Sequence, residues 1–126
     1  PMRMAVAVSA CLLLAGCQTQ SKEPEIYTPK KLTSAQVAAV HDGVRNALKD
    51  PESARFGSVV AGVNSDDVLV ACGWVNARNS FGGYTGEKPF MGVLTKQGGF
   101  VPVSIGGDRT EVQVTMNMCA RSGLAL

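Results

Sequence analysis

VLVACGWVNA, residues 68–77, decides the fold. Val68, Val70, Cys72 and Trp74, continued by Asn76, fall on one side of an extended chain, and Leu69, Ala71, Gly73 and Val75 on the other. Both sides are largely apolar. That is the pattern of a strand covered on two faces, so this stretch is expected at the centre of a sheet. Upstream, Ala54 to Val63 carries Phe56, Val59, Val60 and Val63 and reads as a second strand. Asn64-Ser65-Asp66-Asp67 supplies the turn between them. Downstream, Phe90 to Lys96 and Phe100 to Ile105 read as two more strands around the hairpin turn Gln97-Gly98-Gly99. Pro102 has no N–H to give to a ladder, so the last strand belongs at an edge or breaks there.

Farther out, Leu32 to Lys49 predicts a helix. Thr33 can cap it, Gln36 can close a capping box, and Leu32 and Val37 are placed as a hydrophobic staple. Val37, Val40, Val44 and Leu48 then recur on one face. Gly43 inside the helix costs about 1 kcal/mol against Ala. Lys49 falls in the last turn, where a cation suits the dipole. Asp50-Pro51 stops the helix, because the residue before proline avoids the helical region. His41 lies beside the stripe and reads as a boundary residue. The C-terminal segment has two readings. Asp108 with Glu111 is a second capping box and predicts a helix over 109–121 ending at Gly123. Val112, Val114, Met116 and Met118 alternate as a strand would. The helix is weighed slightly ahead. The expected fold class is α+β: an N-terminal helix on an antiparallel sheet of about four strands, with a C-terminal helix as the favoured ending, all within 32–126.

The N-terminal part reads differently. Arg3 precedes an almost wholly apolar run from Met4 to Leu14, followed by Ala15, Gly16 and Cys17. This is the charged start, apolar middle and small-residue exit of a secretory signal over 1–16. The run is too short to cross a bilayer, which needs about 20 apolar residues. Leu14-Ala15-Gly16-Cys17 resembles a bacterial lipobox, which implies lipidation of Cys17 and a mature chain beginning there. One acyl chain binds a membrane only marginally, so stable anchoring needs two or three. Gln18 after the cysteine, rather than Asp, favours the outer membrane by analogy with enteric bacteria. Residues 17–31 (CQTQSKEPEIYTPKK) are polar and aperiodic and are expected to be a flexible tether. Such a coil would span on the order of 20 Å.

Removing Arg3 from the twelve basic residues leaves eleven against ten acidic ones. That near-neutral balance carries no electrostatic footprint for nucleic acid and no polybasic patch for anionic headgroups. Of four cysteines, Cys11 leaves with the signal and Cys17 takes lipid. Cys72 and Cys119 are then expected to form one disulfide in an exported domain. A zinc site needs four ligands, which Cys72, Cys119 and the lone His41 cannot supply. No C-x-x-C spacing points to redox chemistry. No metal and no cofactor are expected.

LKDPESARF at 48–56 and CGWVNARNSFGGYTGEKPF at 72–90 resemble a family of small, uncharacterised envelope proteins of Gram-negative bacteria. Members read roughly Leu-Lys-Asp-Pro-x-Ser-Ala-x-Phe, then Cys-Gly-x-Val-Asn-Ala-Lys-Asn-x-(Phe/Tyr)-Gly-Gly-Tyr-x-Gly, then a late cysteine. Arg78 stands where Lys is usual, which keeps the charge. The resemblance implies an envelope location and a helical C-terminal segment, and brings no activity with it.

The chain carries no G-x-S-x-G elbow, H-E-x-x-H helix or phosphate-binding loop. Asp66-Asp67 reads as a solvated turn, since adjacent residues on an extended chain point apart. The glycine-rich loop 79–89 is the stronger candidate. Phe81 and Tyr84, with Arg78, Asn79 and Lys88, have the composition of a binding hot spot. The competing reading has both aromatics folding back over the sheet. The leading expectation is a non-enzymatic lipoprotein that binds an envelope protein, such as a transporter's binding protein or an assembly complex, with no small-molecule substrate. The alternatives are an inhibitor of lysozyme-type hydrolases or a cell-wall hydrolase, the latter resting on His41.

Overall fold

The computed structural model describes Gly16 and residues 25–126. The signal expected over 1–16 and the lipidation expected at Cys17 lie outside this set, Gly16 excepted. Five strands make one antiparallel sheet in sequence order: β1 (Thr28–Pro29), β2 (Arg55–Val63), β3 (Leu69–Asn76), β4 (Lys88–Leu94) and β5 (Phe100–Ile105). Two helices, α1 (Ser34–Asn46) and α2 (Arg109–Arg121), cover the two faces.

β3 is central, as its two-sided apolar pattern requires. Its Ala71 and Val75 pack with Phe90, Leu94 and Phe100 beneath α1, whose Val40 and Val44 are fully buried. Its Val70 and Cys72 pack with Met91, Cys119 and Leu124 on the α2 side. Two β-bulges keep this sorting intact. Gly57 and Ser58 lie between the Phe56↔Val75 and Val59↔Gly73 pairs, so Phe56 and Val59 both reach the α1 side. Val103 falls between the Ser104↔Met91 and Pro102↔Gly92 pairs, which lets Phe100 and Ile105 share that side too. Pro102 lies on the edge strand, where its missing N–H costs no ladder bond.

Both capping boxes form. The Thr33 hydroxyl accepts from the Gln36 N–H at 3.2 Å while the Gln36 side chain accepts from the Thr33 N–H at 2.9 Å. Asp108 accepts from the Glu111 N–H at 2.9 Å, and Glu111 accepts from the Asp108 N–H at 3.0 Å. The helix bounds are tighter than expected. α1 ends at Asn46 with Arg45 in its last turn, and Lys49 lies beyond it. Leu48 still packs against the core. Gly43 has a spatial reason: a Cβ there would collide with the Phe100 carbonyl and side chain, so glycine lets α1 sit directly on β5.

Two expectations are corrected, and of the two C-terminal readings the favoured helix is the one that forms. The sheet has five strands, not about four. Residues 17–31 are not tether throughout: Thr28 pairs with Val63 and Pro29 with Gly62, and the Lys30 N–H donates to the Ala61 carbonyl at 2.9 Å. Tyr27 packs against the Cys72–Cys119 cluster, and the Asn64 side-chain amide donates to Glu25 at 2.8 Å. A two-residue strand paired through its backbone leaves no hydrophobic alternation to read. The C-terminal alternation is incidental. α2 buries Thr115 and Cys119, while Val114 stays half exposed. The Thr115 hydroxyl bonds the Glu111 carbonyl at 2.7 Å and meets the Ser104 hydroxyl at 2.6 Å. Its polar character hid the helical face from an apolar count. Cys72 and Cys119 form the expected disulfide, with Cα atoms 6.2 Å apart.

Candidate functional site

The two motif stretches meet at one end of the sheet, where β2 begins and β3 ends. Pro51–Ser53 forms a single 3-10 turn whose Ser53 is buried. The Ser53 hydroxyl donates to the Asp50 carbonyl and accepts from the Arg78 N–H, both at 2.8 Å. The Ser53 carbonyl accepts from the Tyr84 hydroxyl at 3.0 Å. Asp50 also meets Arg78 Nε at 3.3 Å. Asp50, Ser53, Arg78 and Tyr84 thus form one fastening between segments 25 to 31 residues apart. No spacing rule links them in advance.

The loop itself is braced from inside. The Asn79 side-chain oxygen accepts from the N–H groups of Phe81 at 3.0 Å and Gly83 at 3.2 Å. The Asn79 N–H donates to the Gly83 carbonyl at 2.9 Å. Gly82 and Gly86 have φ of +81° and +91°, a region that glycine enters at no steric cost. The Asn76 side chain accepts from the Gly86 N–H at 3.2 Å.

The two loop aromatics part company. Tyr84 folds back, with its ring beneath the Arg55 guanidinium at 4.3 Å and near that of Arg78 at 5.7 Å. Phe81 points away and is 96% exposed. Burying a phenylalanine is favourable by about 1.5–3 kcal/mol, so its full exposure on a braced loop is the unusual feature of this end.

Arg78, Asn79 and Lys88 come together elsewhere. They line a groove of about 390 Å³ beside the loop, with Lys49, Leu48 and Ile105 among the other lining residues. Phe81 and Tyr84 do not line it. Sequence reasoning missed Lys49 as a groove residue. It lies more than twenty positions from the loop and reaches it only because α1 ends over β5. The five predicted residues therefore divide: Asn79 and Lys88 on the groove, Arg78 on the groove and in the fastening, Tyr84 in the fastening, Phe81 in solvent.

His41 does not line the groove. It stacks on Phe56 with ring centroids 3.9 Å apart, and its Nε2 is buried without a hydrogen-bond partner. Burial first, and then the Arg45 charge, push its pKa below the ordinary histidine value, with Asp42 opposing. Among the described residues, no three His, Cys, Asp or Glu side chains gather to hold a metal ion. No helix among them is long and apolar enough to cross a membrane. No family model matches the chain, and no curated protein or solved structure matches it either.

Proposed function

We propose that this chain is a non-enzymatic lipoprotein of the cell envelope, anchored through Cys17 in the outer membrane, whose domain binds a protein partner through the Phe81 loop. The observation that carries the reading is Phe81 itself: 96% exposed, on a loop whose backbone is held by Asn79. A large apolar side chain presented by a pre-ordered loop loses little conformational freedom on binding, which favours affinity. Aromatic anchors of this kind dominate binding hot spots.

The placement of the loop supports the same reading. The described chain comes in at the opposite end of the sheet, where Glu25 meets Asn64 and Thr28 pairs with Val63. The length of β3 separates the two ends, about 25 Å at 3.3 Å per residue. A domain anchored through the segment before Glu25 presents Phe81 away from the anchored end, towards partners approaching from the aqueous side.

A photocrosslinking amino acid at position 81, in the full-length protein in its native host, should capture a specific envelope protein. The same group at Ile26, also exposed, should not. Equal capture at both positions, or none at 81, overturns the loop's role. Mass spectrometry of the same material tests the anchor: an unmodified Cys17 thiol with the leader still attached overturns the location.

A further inference from the structure

The groove beside the loop has a character of its own. Val75, Ala77, Leu48 and Ile105 give it an apolar floor, and three cations, Lys49, Arg78 and Lys88, stand around it. No Asp or Glu side chain lines it. Arg78 is engaged by Asp50 at 3.3 Å, but Lys49 and Lys88 form no ion pair among the described residues. The carbonyl end of α1 contributes partial negative charge near this spot, and Lys49 offsets it. Two unpaired ammonium groups from different elements, beside an apolar strip, present the charge complement of a segment that alternates carboxylates with apolar side chains.

We propose that this groove binds an acidic, apolar-interspersed peptide segment of a protein partner. Its carboxylates meet Lys49 and Lys88, and its apolar side chains lie on Leu48, Ala77 and Ile105. The proposal rests on the partner-binding reading above and names the chemistry of the partner. A protein segment is favoured over an anionic lipid because the groove shares the end of the sheet that carries the Phe81 loop, with Asn79 common to both, and that end lies opposite Glu25 and Thr28.

The test is fluorescence anisotropy of the whole domain with a labelled peptide of alternating glutamate and leucine, beside its lysine–leucine counterpart and oleate. The glutamate peptide should bind saturably and the lysine peptide should not. The double variant Lys49→Glu with Lys88→Glu should weaken binding about tenfold or more, since two attractive pairs become repulsive. Lys49 is exposed and Lys88 half-buried at the start of β4, and an unchanged thermal unfolding midpoint confirms that the variant folds. Added salt should weaken the interaction. Phe81→Ala should leave peptide affinity unchanged, so loss of the crosslink at 81 and loss of peptide binding report separately on the two readings. Glutamate-peptide binding that ignores the charge reversal, absent binding, or saturable oleate binding without peptide binding each overturns the proposal.

Discussion

The two faces of the sheet are held by different means. Under α1, Phe90 is fully buried and meets the edges of Phe56 and Phe100 at 6.3 and 6.2 Å between ring centroids. Glycines make room for these rings: a Cβ at Gly73 would strike the Phe90 ring, and one at Gly92 the Phe100 ring. Under α2 the buried cluster has no aromatic ring, only Val70, Met91 and Leu124 around the two bonded sulfurs. One helix is kept by area and shape, the other by a covalent bond and the Ser104–Thr115 hydroxyl contact. A small domain has limited apolar surface to bury. Here the buried aromatics went to one face, and the disulfide, with Tyr27 partly buried against it, secures the other.

Phe90→Ala is expected to have the largest effect, a loss of about 3–5 kcal/mol in urea unfolding, because it empties the centre of the aromatic cluster. A loss below about 2 kcal/mol would erase the distinction between the faces. Replacing both Cys72 and Cys119 by Ser should cost about 3–4 kcal/mol for a cross-link spanning 47 residues. A double-serine variant less stable than Phe90→Ala would reverse the ranking of the faces. Thr33→Ala and Asp108→Ala remove the same device from opposite faces and should each cost about 1 kcal/mol. If α2 depends on its disulfide, the Asp108→Ala loss should grow in the double-serine background while the Thr33→Ala loss stays constant. Hydrogen exchange of the two helices would read this directly.

The smallest effect concerns His41. Its folded pKa lies below the unfolded value, so between the two the unfolded chain binds more protons than the native one. Stability is therefore fully present above about pH 6.5 and falls as pH drops towards the folded value. His41→Phe should flatten this slope in unfolding midpoints measured from pH 7.5 to 5. An unchanged slope would mean that His41 is not the group responsible. Arg45 on α1, 5.1 Å from the Phe56 ring, and Asp42 are the charges that set the balance.

Much of this was readable from residues in advance, and the failures share a cause. Capping boxes are local grammar, so Thr33–Gln36 and Asp108–Glu111 were both visible. The two-sided apolarity of 68–77 marked the centre of the sheet, and Pro102 marked an edge. β1 left no trace because Thr28 and Pro29 contribute backbone pairing alone. The strand-like alternation of 112–118 kept a second reading open beside the favoured helix because a buried position was Thr115, a hydroxyl satisfied by a turn of its own helix. At the candidate site, composition put forward five residues but could not give their division. Whether Tyr84 tucks in depends on the Ser53 carbonyl, and whether Lys49 joins the groove depends on where α1 ends. Both are settled by contacts between segments far apart in the chain.

The sequential strand order has a further consequence. From β2 to β5 each strand pairs with its immediate neighbours along the chain, so these three ladders close over loops at small entropic cost, while β1 reaches β2 only across α1. A polypeptide delivered N-terminus first can lay down β1 to β5 as it arrives. Cys119 comes last, when Cys72 already sits between β2 and β4. Oxidation then acts as a latch on a nearly finished architecture, with little opportunity for the wrong sulfurs to meet.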